Sequence, residues 1–539
     1  MKNKKPNIIY ILNDHQVNYG HGSQGVRIKR PVFDKFASEG VRFERAYSVC
    51  PLCGPARRSM LTGLYPHNHV ELINDADHPF DTEVYLDTLY EEGYDNYYFG
   101  KWHAGPGTAL EHHCEGFNYP SYNNPYNKPE YKEYLRRKKL PEPRILIEHN
   151  FSSFVPYEEL EEGKEYQQDR SWCNEHASGI MLTPPETHEA FFLADMACEK
   201  LRELKEKENG KPFHLRIDFW GPHQPYFPCK EYADMYSPSD IPEYPSFRED
   251  VYHNNKPEVY QSENNRGISS DDKIIFPNPL PWSVWQEVIA RAYAQITMMD
   301  AAAGKILDAI KEHGFEENTI VIWTTDHGDA LACHGGHFDK SSYMTEEMLR
   351  VPMAVRFPGK MPEGLVSNAL VSNLDVAPTM LDAAGSAFKK DVDGNSLLKI
   401  REGNDVNFRD YFVCETHGHL EKHLGRAVIT QRYKYIYNDS QIEELYDLCL
   451  DPYEMNNLIN DETYADIRNK MHDKLIEHMN QTRDLYRGYQ WHMRPWRKDF
   501  VPNWENEGYT RQRENEEYEP RQLDYDTGLP METAVRKKN

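Results

Sequence analysis

Two short apolar runs, Asn7 to Leu12 and Thr319 to Thr325, stand about three hundred residues apart, and each is followed by an aspartate and a histidine. Neither run alternates polar with apolar residues, so each reads as a strand buried on both faces. Such strands belong to a parallel sheet with helices on both sides. A third run, Phe213 to Phe219, alternates less cleanly and leads into Gly221-Pro222-His223-Gln224-Pro225-Tyr226. Polar residues therefore gather just beyond strands, and in open α/β sheets the crevice past the carboxyl ends is where ligands bind. Three loops from distant parts of the chain are expected to meet there.

The two acidic strand ends make chemical sense as a divalent metal site. Asp14 and Asp326 offer carboxylate oxygens, and the adjacent His15 and His327 offer nitrogen. Either histidine could instead cap its turn, since imidazole plays several parts. A second feature is Cys53-Gly54-Pro55-Ala56-Arg57, which reads as the start of a helix ending at Gly63. A spacing of four places Cys53 and Arg57 on one face, where the positive end of the helix dipole favours negative charge. That is the setting of a reactive thiol facing an anion. Cys50-Pro51-Leu52-Cys53 also fits a redox or zinc C-x-x-C pair, and Cys53 also fits a purely structural thiol.

With 62 basic and 87 acidic residues the net charge is −25, which argues against nucleic-acid and anionic-membrane partners. An anionic small substrate then needs local positive charge. The nine cysteines show no regular spacing of a disulfide framework, and the apolar run after the basic start is too short for a signal-peptide core. A cytoplasmic setting is the expectation, the sequons at Asn150, Asn438 and Asn480 being taken as chance occurrences. No apolar stretch is long enough to span a bilayer.

Helical patterns run from Thr187 to Lys205 and from Trp285 to His313, the latter with Met298, Met299 and Ile306 at core spacing. Residues 106–185 are rich in tyrosine, proline and charge without a clear period. They read as a long insertion over the crevice, with His112, His113 and His176 as solvated side chains. Near residue 400 the composition shifts. Arg426 to Thr430 and Tyr433 to Tyr437 read as a hairpin of an antiparallel sheet, followed by a helix from about Tyr464 to Met479. Residues 489–539 read as an extended arm on the body or on a partner subunit, compatible with a homo-oligomer, or as a tail.

The stretch Cys53-x-Pro55-x-Arg57 with Thr62-Gly63 resembles the signature of the type I sulfatases, relatives of alkaline phosphatase, with Ala56 where that family usually has serine. Gly100-Lys101-Trp102-His103, Pro222-His223-Gln224-Pro225-Tyr226, Lys340 and Arg350-Val351-Pro352 continue the likeness in the right order. The resemblance implies an alkaline-phosphatase-like α/β catalytic domain over 1–400 and a smaller C-terminal α+β subdomain over 401–488. It implies that a formylglycine-generating enzyme oxidises Cys53 to formylglycine, and that one divalent ion is held by Asp14, Asp326, His327, residue 53 and, more weakly, His15. Calcium is the family's ion, although imidazole suits manganese or zinc better.

By the same resemblance, Arg57, Lys101 and Lys340 would surround the sulfate with positive charge. His223, with Lys340, would protonate the leaving alcohol, and His103 would take the proton of the hydrate's second hydroxyl so that sulfate departs. The implied activity is hydrolysis of a small sulfate ester, above all a sulfated sugar. A phosphonate monoester or phosphodiester hydrolase of the same superfamily is the alternative, favoured by His327 and opposed by Lys101 and His103. A non-catalytic anion-binding protein with an unmodified Cys53 is a further reading.

Overall fold

The run Asn7–Asp14 forms the central strand, β1, and its side chains alternate between two cores. Ile9 and Ile11 face one core while Ile8, Tyr10 and Leu12 face the other, all fully buried. Around it the computed structural model describes residues 5–18, 27–74, 76–120, 122–150, 160–169, 177–207, 210–264, 269–270, 273–274, 280–401, 408–419, 422–484, 486 and 494–497. Seven further strands complete the large sheet: β2 (Val41–Phe43), β3 (Asp95–Lys101), β4 (Cys114–Tyr119), β5 (Phe213–Pro222), β6 (Thr319–Thr325), β7 (Met353–Arg356) and β8 (Leu365–Ser367). Their order is β8-β2-β7-β6-β1-β5-β3-β4. Only β7 runs against the rest, so the sheet is mostly parallel, as expected.

Helices cover both faces, which is why the central strands need no polar side. The helices that matter are α1 (Cys53–Thr62), α2 (Tyr85–Glu91), α3 (Glu189–Lys207), α4 (Trp282–Glu312), α5 (Val376–Ala383) and α6 (Ala465–Gln481). Phe191 and Leu201 of α3 and Ile289, Met298 and Ile306 of α4 share the core of Ile9 and Ile11. Met60 and Leu61 of α1, Leu86 and Leu89 of α2 and Met380 of α5 share that of Tyr10 and Leu12. No described helix is long and apolar enough to cross a membrane.

Register brings the site together. Asn13 pairs with Thr325, so the next residues, Asp14 and Asp326, emerge side by side. On the other flank Leu12 pairs with Asp218, and the register shifts before Asp14 meets Pro222. Gly100 of β3 pairs with Asp218, and a Cβ there would lie 1.9 Å from the Asp218 carbonyl oxygen. Only glycine allows that approach.

The stretch 106–185 is more regular than its composition suggests. It supplies the edge strand β4, a helix over Pro129–Lys138 and a three-stranded sheet of Arg144–Asn150, Glu165–Gln167 and Ala177–Met181. The helix buries Tyr131, Tyr134 and Leu135, so tyrosine does the work that aliphatic residues do elsewhere. His112 pairs with Asp87 and His113 stacks on Tyr90, whereas His176 lies outside the described residues.

A four-stranded antiparallel sheet follows, built from β9 (Phe412–Thr416), β10 (Gly425–Ile429), β11 (Tyr433–Asn438) and β12 (Glu444–Asp447), with α6 packed on it through Met471 and Leu475. It is fastened to the large domain beside the nucleophile helix: Glu415 donates its N–H to the Val49 carbonyl at 2.9 Å. The expected arm over 489–539 lies outside the described residues except for 494–497.

Candidate active site

Cys53 opens α1, and Gly63 closes it in a left-handed conformation (φ 68) with its N–H on the Ser59 carbonyl. Pro55 is third in the helix, not first, and still precedes any intrahelical N–H requirement. The Gly54 N–H, one of the orphan donors of the first turn, is taken by Asn74 Oδ1 at 2.9 Å. Every residue of this helix is buried. The thiol is presented inside the molecule, at the floor of the crevice.

Four groups converge on one point. Atoms of Asp14, Cys53, Asp326 and His327 lie within 4.8 Å of one another, all fully buried. The Cys53 sulfur is 3.0 Å from His327 Nε2 and 3.7 Å from Asp14 Oδ1. His327 Nδ1 donates to the Gly328 carbonyl at 2.8 Å, so Nε2 carries the lone pair that faces the cluster. Two carboxylates, an imidazole nitrogen and a sulfur position form a donor set suited to a divalent cation, and burying this much negative charge without one is unfavourable. The residues fit the ion that the sequence implies.

Two cations line the cluster. Arg57 donates from Nε to Asp326 at 2.9 Å and from Nη1 to Asp218 at 2.9 Å, while Nη2 sits 3.5 Å from Asp14 Oδ1. That Nη2 is buried and makes no hydrogen bond among the described residues. Lys101 donates to Asp14 Oδ2 at 2.6 Å, with Tyr122 below its ammonium. Burial, reinforced by Asp326, pushes Asp14 up to about 6 against the pull of Lys101 and Arg57. Burial acts on Asp326 in the same sense, but Arg57 and His327 outweigh it and hold that carboxyl well below its usual range.

A second group faces the first. His223 follows Pro222 after the end of β5, in a turn with cis peptides before Pro222 and Pro225. Its Nδ1 donates to the Gln224 carbonyl at 2.7 Å, and its Nε2 accepts from Lys340 Nζ at 2.9 Å. Lys340 also reaches Asp339 at 3.2 Å. Burial, then Lys340 and Lys101, hold the His223 imidazole well below its usual range, so it is neutral. His103 is buried two residues past Lys101, in left-handed backbone (φ 44).

His15 is the expected ligand that the fold places elsewhere. Its backbone N–H binds Asp326 Oδ1 at 2.9 Å, and its ring packs 4.7 Å from the His327 ring and 4.8 Å from the His223 ring, but its nitrogens group with His223 and Asp339 (Nδ1 at 3.6 Å) and not with the four clustered ligands. A positive φ of 63 at His15 is the cause, because it swings the side chain off the strand direction. Cys50 is likewise apart from the cluster, and burial pushes its thiol up, the opposite of a redox-active pair.

Sequence reasoning did not single out Asp218, Asp339, Asn74, Tyr122 or His419. Asp218 binds Arg57, Arg216 and the Tyr98 hydroxyl, and stands inside a strand where it follows His214 and Arg216 and so reads as one more residue of a polar face. His419 arrives from beyond β9 and feels Lys340, Asp339, His327 and His103, while burial above all lowers it to about 4. Asp339 adjoins Lys340 in sequence, and that adjacency was the available signal.

The sulfatase family profile matches residues 6–386, and one described as N-sulphoglucosamine sulphohydrolase, C-terminal, matches residues 333–481. The chain is 28% identical to an uncharacterized sulfatase, YidJ, of Escherichia coli over 98% of each chain. It is 24% identical to an N-acetylglucosamine-6-O-sulfatase of Bacteroides thetaiotaomicron, over 90% of this chain and 87% of that one. Among solved structures, one in complex with its substrate D-glucosamine-2-N,6-O-disulfate superposes with a TM-score of 0.67 at 22% identity, covering 89% of this chain and 99% of that one. A phosphonate monoester hydrolase of Agrobacterium radiobacter superposes with a TM-score of 0.69 at 21% identity, covering 88% and 96%. With the fold, the site and a family match over most of its length in agreement, the chain belongs to the type I sulfatase family and is a sulfuric ester hydrolase.

Proposed function

We propose that this protein releases sulfate from a sulfated saccharide, using a formylglycine formed from Cys53 by a formylglycine-generating enzyme. The observation that carries the reading is the convergence of Cys53 with Asp14, Asp326 and His327 under Arg57 and Lys101. A relative named for action on N-acetylglucosamine-6-O-sulfate supports the sugar class.

Asp14, Asp326, His327 and residue 53 would hold a divalent ion, which would supply Lewis-acid polarisation of the ester and acidify the residue-53 hydroxyl. The remaining work falls to the chain. Arg57 Nη2, buried and without a hydrogen bond among the described residues, is a donor for a sulfate oxygen, and Lys101 adds a second charge beside Asp14. Position 53 lies at the start of α1, so a hydrate hydroxyl there faces the same point from a fixed backbone. The Lys340 and His223 pair supplies the leaving oxygen with a proton: Lys340 passes its proton across 2.9 Å to the lone pair of His223 Nε2, and the imidazolium so formed gives it to the leaving oxygen, which leaves the imidazole neutral and Lys340 an uncharged amine. His103 takes the proton of the hydrate's other hydroxyl, so that the sulfated hydrate collapses to aldehyde and free sulfate.

Asp326-His327 and the superposition on phosphonate monoester hydrolases favour a second reading, hydrolysis of phosphonate monoesters. Lys101 and His103 oppose it, because the resemblance that suggests such hydrolases places neutral residues at those two positions. Turnover of 4-nitrophenyl sulfate against 4-nitrophenyl phenylphosphonate separates the two, and faster phosphonate hydrolysis would reverse the choice. Mass spectrometry of the peptide containing residue 53 tests the modification. A thiol throughout, in protein that turns over sulfate esters, would remove formylglycine from the mechanism.

A further inference from the structure

The segments that follow β1, β5 and β6 meet a second time, beside the first cluster. Ligand atoms of His15, His223 and Asp339, one from each segment, lie within 4.8 Å of one another. Backbone hydrogen bonds hold these segments. Gln16 donates its N–H to the His327 carbonyl at 2.9 Å, which clamps His15 between two strand ends, and Ala330 donates its N–H to the Asp339 carbonyl at 3.3 Å. His223 is fixed through Nδ1 on the Gln224 carbonyl, so Nε2 is its lone-pair nitrogen.

His15 is the member whose polar atoms are unmet. Its side chain is fully buried, and neither ring nitrogen makes a hydrogen bond among the described residues. A neutral imidazole carries one donor and one lone pair, and buried groups of this kind are ordinarily satisfied. Carboxylates flank the ring: Asp339 Oδ1 is 3.6 Å from Nδ1 and Asp329 Oδ1 is 3.7 Å from Nε2, beyond hydrogen-bond reach. Such spacings suit ligands that share an ion. Zinc holds nitrogen and oxygen at about 2.0–2.2 Å in a tetrahedron, which sets its ligand atoms roughly 3.4 Å apart. Two imidazoles and a carboxylate form a donor set for zinc or copper in preference to calcium or magnesium. Lys340 is the cation that stands among them, 2.9 Å from His223 Nε2 and 3.2 Å from Asp339 Oδ1.

We propose that His15, His223 and Asp339 form a second site, for a nitrogen-preferring divalent cation of the zinc and copper class, and that its occupation inhibits the enzyme. The inference rests on the reading of Lys340 and His223 as the acid for the leaving alcohol. An ion on Nε2 of His223 takes the lone pair that receives the Lys340 proton, and its charge drives the ammonium aside. The cluster of Asp14, Cys53, Asp326 and His327 shares no residue with this group, so both can be filled at once. Because the second ion must displace Lys340, it binds more weakly than the first, and inhibition sets in only at an excess of it. Asp339, with 14% of its side chain exposed, opens the group toward solvent.

Zinc is the probe, added at buffered free concentrations to enzyme already active with its first ion. Turnover of a sulfated sugar should fall by at least about 10²-fold at saturation, the lower end of what positioned acid catalysis supplies, while that of 4-nitrophenyl sulfate falls less than about tenfold. His15→Asn removes one ligand and keeps the left-handed backbone (φ 63), which asparagine tolerates. Measured against its own zinc-free rate, this variant should need at least about tenfold more zinc for half-inhibition, since loss of a ligand costs no less than the 10–100-fold for loss of an outer partner. Elemental analysis after dialysis against zinc should find one bound zinc fewer in the variant than in the parent protein. Asp339→Asn, also at a positive φ (66), serves for the same metal count should His15→Asn fail to fold. Equal zinc content in the parent and in whichever variant folds, or inhibition that His15→Asn leaves unchanged, overturns the proposal. Failure of the acid reading shows differently: the extra zinc still depends on His15, but the sugar and the nitrophenyl ester lose turnover equally.

Discussion

Lys340 donates to Nε2 of His223 across 2.9 Å, while the opposite ring nitrogen is anchored on the Gln224 carbonyl at 2.7 Å. The imidazole is thereby fixed in one tautomer, with its only exchangeable position against an ammonium. A proton passed from Lys340 to Nε2 can go on to a leaving alkoxide, which leaves both side chains uncharged, without recruiting water. Such a pair matters in proportion to how badly the leaving group needs a proton.

Lys340→Ala and His223→Ala are therefore expected to reduce kcat for a sulfated sugar by about 10²- to 10⁴-fold, the usual worth of positioned acid catalysis. For 4-nitrophenyl sulfate, whose phenolate departs without help, the loss should be under about tenfold. The measurement is a leaving-group series on both variants. Equal losses for sugar and nitrophenol would assign the pair to binding and not to proton transfer.

Arg57 and Asp218 make a second prediction. Arg57 touches Asp14, Asp218 and Asp326, and Asp218 in turn carries Arg216, so all these charges are buried in one network. Removing one member leaves its partners charged and unpaired. Asp218→Ala should cost about 3–5 kcal/mol of stability although Asp218 is not among the four clustered groups, and Arg57→Lys should be less harmful to folding than to activity. Denaturant unfolding with parallel activity assays checks both. A stable, fully active Asp218→Ala protein would contradict the role given to the network.

How much of this was open to sequence reading follows from the same residues. Asp14, Asp326, Cys53, Lys101, His223 and Lys340 all stand at or just past regular elements, where a change of residue type marks the boundary. The strand β4 was not legible, because Cys114-Glu115-Gly116-Phe117-Asn118-Tyr119 sits at the sheet edge and has no apolar run. Asp218 was hidden for the opposite reason, as one of three alternating polar residues in a regular strand, its meaning set by the register with Leu12 and Gly100. His15 was misplaced because a backbone φ of 63 is not visible in a string of letters. His419 depends on a fastening between two parts of the chain more than three hundred residues apart.

The thiol pair separates two accounts of Cys53. Cys50 is buried and its carbonyl accepts from the Ser48 hydroxyl, but its sulfur is outside the cluster. Cys50→Ser should leave kcat/KM within about twofold and lower stability by about 1–3 kcal/mol, the penalty for a buried hydroxyl without a good partner. Cys53→Ala should abolish sulfate release. Loss of activity on both substitutions would revive the redox or zinc reading.

The ion is a matter of ligand chemistry. Full removal by a chelator should stop turnover and lower the melting temperature, and readdition should reverse both, with gains set by ion concentration over its dissociation constant. His327 supplies a nitrogen, which suits manganese or zinc better than calcium. His327→Asn replaces it with an oxygen ligand and should shift the order of reactivation toward calcium. Elemental analysis of the two proteins after dialysis against equal mixtures reads this directly, and an unchanged metal ratio would show that His327 does not select the ion.

The junction between the domains makes stability depend on pH. His67 donates to Glu415 at 2.7 Å within a buried group that includes Asp484 and Arg426. Burial alone would lower His67, but Glu415 and Asp484 outweigh it and raise the imidazolium to about 9. A folded value above the unfolded one of about 6.5 means that this contribution is complete below 6.5 and disappears as pH rises through 9. Asp484 runs the other way: burial opposes, yet Arg426 and His67 hold it down to about 2, so its contribution is complete above about 4 and disappears as pH falls through 2. The junction is thus strongest between about pH 4.5 and 6.5. His334, raised to about 9 beside Glu249 and Glu347 despite its burial, adds to the alkaline limb. Melting temperatures should fall between pH 6.5 and 9, and His67→Gln should remove part of that slope by lowering stability at pH 6 more than at pH 9. Melting curves of the two proteins that stay parallel across this range would show that His67 carries no proton at the junction.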